Sequence, residues 1–330
     1  MKKKFVLTLA LALIVAASLV AAPVTLTGSF KAGYTYTSGT SAITVANTPE
    51  INTDGLAITG DFWKVAVASD LFTFGDDNAV KGTGTIYLDK ALAAQGTDMG
   101  DVTITLAIGN SGTMSGLNVY SDPNGTVGDE GYKVRQKGAY STSVTVGYGS
   151  MVTVNATADP TDKVNKPFGL SAKFAPVDGV SAAVAYTNYA ENKWTSTIDA
   201  DGAIGGSVCV DVAALAGLDF GLKASAIDTY FLGQKENNLL AALSASYGDV
   251  SGWTEYQLFD GTSNLKVSAS YAGIENVGLS ASVTLTDLSN ISTKIGAGAN
   301  YTMGGVKYAL DGAYVIDGDF TLTPSVKITF

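Results

Sequence analysis

Hydrophobic and polar residues alternate along most of this chain, and the alternation is clearest in segment 320–330. Apolar residues occupy one parity of that segment, and threonine, serine and lysine occupy most of the other. Successive side chains of a strand point to opposite faces, so the segment predicts a β-strand with one apolar and one polar face. An apolar strand of this kind is typical of a membrane β-barrel, whose outer surface contacts lipid.

The same pattern recurs along the chain and predicts an all-β fold. Segment 24–37 mirrors the last strand, and a closed barrel pairs its first and last strands. We predict a transmembrane antiparallel up-and-down β-barrel of about eighteen strands, with about sixteen as the alternative. The uncertain strands lie in 51–89. A polar loop is predicted over Ser38 to Glu50, and one helical turn over Lys90 to Gln95.

Short turns and longer loops alternate between the predicted strands. Gly149-Ser150 and Gly304-Gly305 are examples of the short turns. Outer-membrane barrels have short periplasmic turns and longer external loops, so this alternation predicts the same arrangement here. Asn110 to Gly138 becomes the third external loop. Aromatic residues at strand ends, on the apolar parity, predict girdles at both membrane interfaces.

Composition excludes some function classes. Charged residues make up 15% of the chain, below the roughly 25% of ordinary soluble domains. The formal net charge of −10 leaves no basic surface for nucleic acid. The chain contains no histidine and one cysteine, which excludes Ser-His and Cys-His nucleophile pairs, histidine-ligated metals and thiolate clusters. We therefore expect no enzyme activity, no cofactor and no metal site, and we interpret Cys209 as a small packed side chain.

The N-terminal segment has the three parts of a secretory signal peptide. Lys2, Lys3 and Lys4 precede an apolar run from Phe5 to Ala17, and small residues continue to Ala22. We expect residues 1–22 to be cleaved and residues 23–330 to form a single barrel. An uncleaved anchor is the alternative, but the apolar run is shorter than the roughly 18 residues of a membrane helix.

These features resemble those of bacterial outer-membrane porins. The residues that carry the resemblance are the signal peptide, the alternating start V-T-L-T-G-S-F-K-A-G-Y-T-Y-T and the end P-S-V-K-I-T-F. The resemblance implies an outer-membrane location, lipid contacts and a homotrimer. It implies that the barrel-assembly machinery reads Val326, Ile328 and Phe330. It also implies that the third loop folds into the pore as a constriction loop, whose charged residues are Asp122, Asp129, Glu130, Lys133 and Arg135.

The polar parity of the strands predicts the lining of a water-filled lumen. The predicted pore-lining residues, with Asp70 as a further acid, are Lys31, Lys64, Lys173, Lys223, Lys266, Lys294, Lys307, Lys327, Asp211, Asp219, Glu255 and Asp311. Such a lining would set ion selectivity. Lysine–carboxylate pairs that neutralise each other across strands are the other interpretation, and both stay open.

Two functions from different classes follow. The first is a porin that lets small hydrophilic solutes and ions diffuse passively, because a barrel of this size encloses an aqueous channel. The second is a non-conducting surface protein, an adhesin or structural envelope protein, that acts through its external loops. A channel specific for one solute class is a third possibility, although the inward parity carries few of the aromatic residues that line sugar channels.

Overall fold

The computed structural model describes residues 24–40, 42–69, 80–109, 132, 134–137, 141–192 and 194–329. Within these residues, eighteen strands form one antiparallel sheet, and a separate hairpin of two short strands lies in one connection. The predicted all-β, up-and-down architecture is confirmed. The larger of the two predicted strand numbers is also confirmed.

The strands follow one another along the chain and alternate in direction. The first strands are β1 (Val24–Thr37), β2 (Ala42–Thr59), β3 (Trp63–Ser69), β4 (Val80–Tyr87) and β5 (Val102–Gly109). The next are β6 (Ser141–Tyr148), β7 (Val152–Ala158), β8 (Phe168–Val177) and β9 (Val180–Thr187). The small hairpin consists of β10 (Ala190–Asn192) and β11 (Thr197–Asp199).

The second half has longer and more regular strands. They are β12 (Ala203–Asp211), β13 (Gly221–Phe231), β14 (Glu236–Tyr247), β15 (Val250–Phe259), β16 (Thr262–Ile274), β17 (Val277–Thr286), β18 (Ser292–Met303), β19 (Val306–Val315) and β20 (Phe320–Thr329). Two helices, α1 (Leu88–Ala94) and α2 (Val212–Ala216), lie in the connections that precede β5 and β13. Helix α1 confirms the predicted helical turn.

Strand pairing returns the sheet to its starting point. Each strand pairs with the next, β9 pairs with β12 across the small hairpin, and β20 pairs with β1. The last pairing joins Phe30 to Ile328 and Ala32 to Val326. The sheet is therefore a ring of strands without a free edge, as a barrel in lipid requires. One end of this barrel carries the tight turns such as 248–249, and we call it the turn end; the opposite end, with connections such as 188–202, is the loop end.

The face of each strand is set by the alternation of side chains. Apolar residues on one face stay exposed: Ile108 is 64% exposed, Val184 55% and Leu310 48%. Aromatic residues lie at or near the strand ends on the same face. The exposed ones include Tyr148, Phe174, Tyr247, Tyr271, Tyr301 and Tyr314. We call this face outward and the opposite face inward. An exposed apolar outer band with aromatic ends is the surface that lipid covers in such barrels.

Two local predictions were wrong. Most of the predicted loop Ser38 to Glu50 belongs to β2, which pairs with β1 from Ala42 onward. Pro49 misled the sequence interpretation, yet its backbone faces Phe30 in a ladder whose register shifts between Leu26 and Gly28. Proline is tolerated at the edge of a ladder or beside an irregularity, and this register shift begins after Ile51, two residues beyond Pro49.

The connection before β13 was also misjudged. Asp211 accepts a hydrogen bond from the backbone N–H of Ala214 at 3.0 Å and caps helix α2. Gly217 ends this helix with a φ of 63°, a conformation that glycine adopts without strain. Asp219 lies in the turn that follows, outside the strand in which it was predicted. No helix in the described part of the chain is long and apolar enough to cross a membrane.

Candidate functional site: the lumen of the barrel

The burial of inward side chains differs between two parts of the barrel wall. On β9 and β12 to β15, many inward residues in the middle of the strands and towards the loop end are buried, for example Ala183, Ile227 and Leu240. We call the inward faces of β7 to β9 and β12 to β15 the filled sector. Inward residues can be buried only where other protein atoms cover them. The residues that cover the filled sector come from two of the connections at the loop end.

The first covering segment is 134–137, with Tyr132 just before it. The Thr229 hydroxyl donates to the Tyr132 carbonyl oxygen at 2.6 Å, and the Thr157 hydroxyl donates to the Gln136 side-chain oxygen at 2.5 Å. The Gln136 amide donates to the Pro167 carbonyl oxygen at 3.2 Å. Since Thr157 and Thr229 point inward from β7 and β13, this segment lies inside the barrel. The far end of the predicted constriction loop therefore rests against the inner wall.

The second covering segment is the hairpin β10–β11. The Lys137 N–H donates to the Tyr189 carbonyl oxygen at 3.0 Å, and the Glu191 N–H donates to the Arg135 carbonyl oxygen at 2.9 Å. The Glu191 carboxylate also contacts Lys137 Nζ at 2.8 Å and Arg135 Nε at 3.6 Å. The two segments thus form one unit, held together by a short antiparallel contact and by charge.

Aromatic stacking fixes this unit at the loop end of the lumen. Trp194 stacks on Phe259 with ring centroids 4.7 Å apart and an interplanar angle of 16°. Tyr132 meets Trp194 edge-on at 5.5 Å. Phe259 points inward from β15, so the stack joins the hairpin to the wall. Burial first, and the negative charge of Glu255 second, raise the pKa of the Tyr132 phenol well above its ordinary value.

Polar groups complete the attachment of the hairpin. The Asp199 carboxylate accepts hydrogen bonds from the backbone N–H groups of Gly233 and Gln234 at 2.8 and 2.9 Å. The Asn238 amide, which points inward from β14, donates to the Asn192 side-chain oxygen at 3.1 Å. Asp199 and Asn192 are almost fully buried. Buried hydrogen bonds of this kind hold a segment in place, because breaking them leaves polar groups without water.

The inward face of β16 to β20 is different, and we call it the open sector. Its side chains are mostly small and hydrophilic, and they are exposed or partly exposed; Ser268, Ser280, Ser282, Thr323 and Asp311 are examples. Ser325 is one of the few buried residues there. Exposed hydroxyl and charged groups on the inside of a barrel require water, so the open sector faces an aqueous space.

Charged side chains on the inward face have different partners in different parts of the barrel. Glu255 is fully buried on β15, where its register partner on β16 is Lys266, and the Lys266 ammonium lies 5.1 Å above the Trp253 ring. At the turn end, Lys223 contacts the Asp211 carboxylate at 3.3 Å. The Lys223–Asp211 ion pair is an example of the cross-strand neutralisation that the sequence left open, and Glu255 and Lys266 stand opposite each other in the register.

The structure places most predicted lumen residues on the inward face of a strand. These are Lys31, Lys64, Lys173, Lys223, Lys266, Lys294, Lys307, Lys327, Asp211, Glu255 and Asp311. Arg135 is buried beside Glu191 instead of projecting across the lumen. The remaining predicted residues, Asp70, Asp122, Asp129, Glu130, Lys133 and Phe330, lie outside the described residues, as does the predicted signal peptide.

Sequence reasoning missed the role of the hairpin β10–β11. Its residues were interpreted as part of an external loop, because 188–202 shows no clear strand alternation. The sequence feature that could have indicated a packed segment is the combination of Trp194 with amide and acidic residues. An exposed loop does not require this combination. Among the described residues, no cluster of acidic or cysteine side chains has the arrangement of a metal site.

Comparison with solved structures identifies the fold. A double mutant of the Rh. blastica porin covers 93% of this chain and all of that chain, with 13% sequence identity and a TM-score of 0.51. A triple mutant of the Rhodopseudomonas blastica porin gives the same coverage, identity and TM-score. Neither the family models nor the curated protein sequences gave a match. The closed ring of strands, the exposed apolar outer face and the partly covered lumen agree with this likeness, and the protein therefore has the fold of a porin-type outer-membrane β-barrel.

Proposed function

We propose that this protein is an outer-membrane porin that forms a water-filled channel for passive diffusion of small hydrophilic solutes and ions. The observation that carries the proposal is the open sector, where hydrophilic side chains line the inside of a barrel with an apolar exterior. Such a lumen holds water, and a barrel of this strand number encloses a channel unless a plug fills it. No step of catalysis is part of this function.

The covering unit of Tyr132, 134–137 and β10–β11 narrows the channel without closing it. It packs against the filled sector and leaves the inward residues of β16 to β20 exposed. Solutes would pass between this unit and the open sector. The exposed lysines and Asp311 of that sector would then set the ion preference of the pathway.

The remaining parts of the proposal concern location and assembly. The likeness to porins supports insertion in the outer membrane after export by a cleaved signal peptide, residues 1–22. In this proposal the barrel-assembly machinery reads the terminal strand through Val326, Ile328 and Phe330. Lipid would cover the outward face, and a homotrimer is the proposed oligomeric state.

The test is conductance of the refolded mature protein in a planar lipid bilayer under a salt gradient. Discrete current steps are expected, with a reversal potential that moves towards cation preference when Lys266, Lys294 and Lys307 are changed to glutamate. Folding is checked by heat-modifiable migration on a gel. A folded barrel that never conducts would contradict the proposal.

The second candidate function is a non-conducting surface protein. The specific observation in its favour is the covering unit, because the Trp194–Phe259 stack and the buried Tyr132 beside it fill part of the lumen. Absence of conductance in the folded protein, together with binding to cell surfaces that depends on the loop end, would support this alternative.

A further inference from the structure

The strand register places three lysines side by side at the turn end of the barrel. Lys31 of β1 is the partner of Lys327 of β20, and Lys327 is in turn the partner of Lys307 of β19. We call these three residues the lysine row. Neighbouring strands lie about 4.8 Å apart, so the row carries three positive charges across about 10 Å of the inner wall.

Among the described side chains, no ion pair offsets the charges of the lysine row. None of the ion pairs in the described part of the chain includes Lys31, Lys307 or Lys327. Asp311 is the next charged inward residue of β19, four positions beyond Lys307, which is about 13 Å along the strand. Like charges directly opposite each other destabilise a sheet, so this arrangement costs stability unless something else occupies the site.

Other inward positions around the row are mostly uncharged. The register partner of Lys307 on β18 is Thr302, and that of Lys31 on β2 is Thr48. Glu50 is the register partner of Ser29 and is the acidic residue among these backbone partners. With Glu50 included, the row and its neighbours still carry an excess of positive charge on a face that points into the lumen.

Lys223 offers an informative contrast at the same end of the barrel. Its ammonium contacts the Asp211 carboxylate at 3.3 Å, so the fold provides a partner for this lysine. Among the described side chains, no carboxylate makes an ion pair of this kind with the lysine row, and the three lysines lie on consecutive strands. The row thus presents a line of donors that matches an extended acceptor.

We propose that the lysine row binds elongated polyvalent oxyanions, of which linear polyphosphates are the simplest example. This inference rests on the proposed water-filled lumen, through which such an anion reaches the row. Each ammonium group offers charge-assisted hydrogen bonds to oxyanion oxygens, and Thr302 adds a hydroxyl at one end. A monovalent anion occupies one lysine, whereas a linear polyanion neutralises all three and removes their mutual repulsion.

The experiment measures tripolyphosphate in two ways. In planar bilayers, tripolyphosphate added to the turn-end side should reduce single-channel current, and monovalent acetate at equal ionic strength should not. Titration calorimetry of the refolded, detergent-solubilised barrel measures binding without any need for conductance. The triple substitution Lys31→Gln, Lys307→Gln and Lys327→Gln should weaken both effects by about tenfold or more, since three charge-assisted contacts are lost.

Lys173→Gln is the matched control. Lys173 also points inward near the turn end, but its register partners are Thr153 and Ala183. This control should change the affinity less than twofold, by about the effect of one distant screened charge.

The outcomes separate this inference from the proposed function. Conducting channels whose tripolyphosphate affinity is equal in the wild type and the triple variant would overturn the anion site and leave the porin proposal intact. Calorimetric binding that depends on the row in a barrel that never conducts would support the site and contradict the porin proposal. The triple variant should fold at least as well as the wild type, because the substitutions remove repulsion.

Discussion

The filled and open sectors of this barrel are built from the same alternating strands, yet protein covers the inward face of one and water meets the inward face of the other. In the filled sector, inward positions are covered by protein whether they are apolar, such as Ile227, or polar, such as Thr229. In the open sector, inward positions such as Ser280 and Thr323 are hydroxyl-bearing and meet water. The outward faces of both sectors are apolar and exposed. The difference shows that lipid determines the residue types on the outward face, whereas the protein or water inside the barrel determines those on the inward face.

The largest expected effect comes from removing the covering hairpin. Replacing residues 189–201 by a short Gly-Ser linker should raise single-channel conductance on the order of twofold, because pore conductance follows the open cross-section. Bilayer recordings of the refolded variant measure this. Shortening the open-sector loop 287–291 is the control and should leave conductance unchanged. Equal conductance in the hairpin variant would mean that the hairpin does not restrict the path.

The second effect concerns the aromatic stack that holds the hairpin. Trp194→Ala removes the contacts with Phe259 and Tyr132 and should lower the free energy of unfolding by about 2–3 kcal/mol, with noisier open-channel current. Urea titration of the folded barrel and bilayer recordings measure the two results. Trp194→Phe should recover most of the loss. Quiet current and unchanged stability in the alanine variant would show that the stack is not an anchor.

A third change compares one hydrogen bond in each sector. Thr229→Val leaves the Tyr132 carbonyl oxygen without its 2.6 Å donor in a buried site and should cost about 1–2 kcal/mol. Thr323→Val breaks the 3.1 Å hydroxyl pair with Thr35 in the open sector and should cost less than about 0.5 kcal/mol, since water replaces the partner. Urea unfolding of both variants gives the comparison. Equal costs would contradict the assignment of dry and wet sectors.

The smallest expected effect is that of Tyr132→Phe near neutral pH. The buried Tyr132 hydroxyl has no hydrogen-bond partner among the described residues, so its removal should change stability by less than about 0.5 kcal/mol. The pKa of this phenol is raised on folding, so the unfolded chain loses the proton first as the pH rises. The stability contribution is thus complete below the unfolded pKa of about 10 and falls above it.

Urea unfolding between neutral pH and pH 11 tests this sign. The wild type should lose stability more steeply than Tyr132→Phe above pH 10, and the other tyrosines contribute equally to both proteins. Parallel profiles would mean that the phenol meets solvent in the folded barrel.

The sequence predicted the wall of the barrel much better than its interior. Alternation alone located most strands from Val102 onward, because lipid on one side and water on the other impose a strict period of two. The same logic failed over 42–50, where Pro49 argued against a strand although the register with β1 is regular from Ala42 to Ile51. Lumen-facing lysines followed directly from strand parity, since a shift of one residue would have put them in lipid.

The covering unit could not be predicted in this way. Its contacts join residues far apart in sequence, such as Tyr132 with Thr229 and Trp194 with Phe259. No periodicity links such pairs, because neither segment is part of the barrel sheet. Arg135 illustrates the limit: the sequence suggested a charge facing the pore, whereas Glu191 holds this side chain within the covering unit.

The central claim is that water fills the open sector and protein covers the filled one. Single cysteines at Ser280 and Ala185, in a Cys209→Ser background, test it most directly, because both positions point inward and Ala185 is only 6% exposed. A negatively charged methanethiosulfonate reagent is added during bilayer recording. The account predicts a stepwise drop in current for Ser280→Cys and no reaction for Ala185→Cys. Rapid modification of Ala185→Cys, or an unreactive Ser280→Cys, would contradict it.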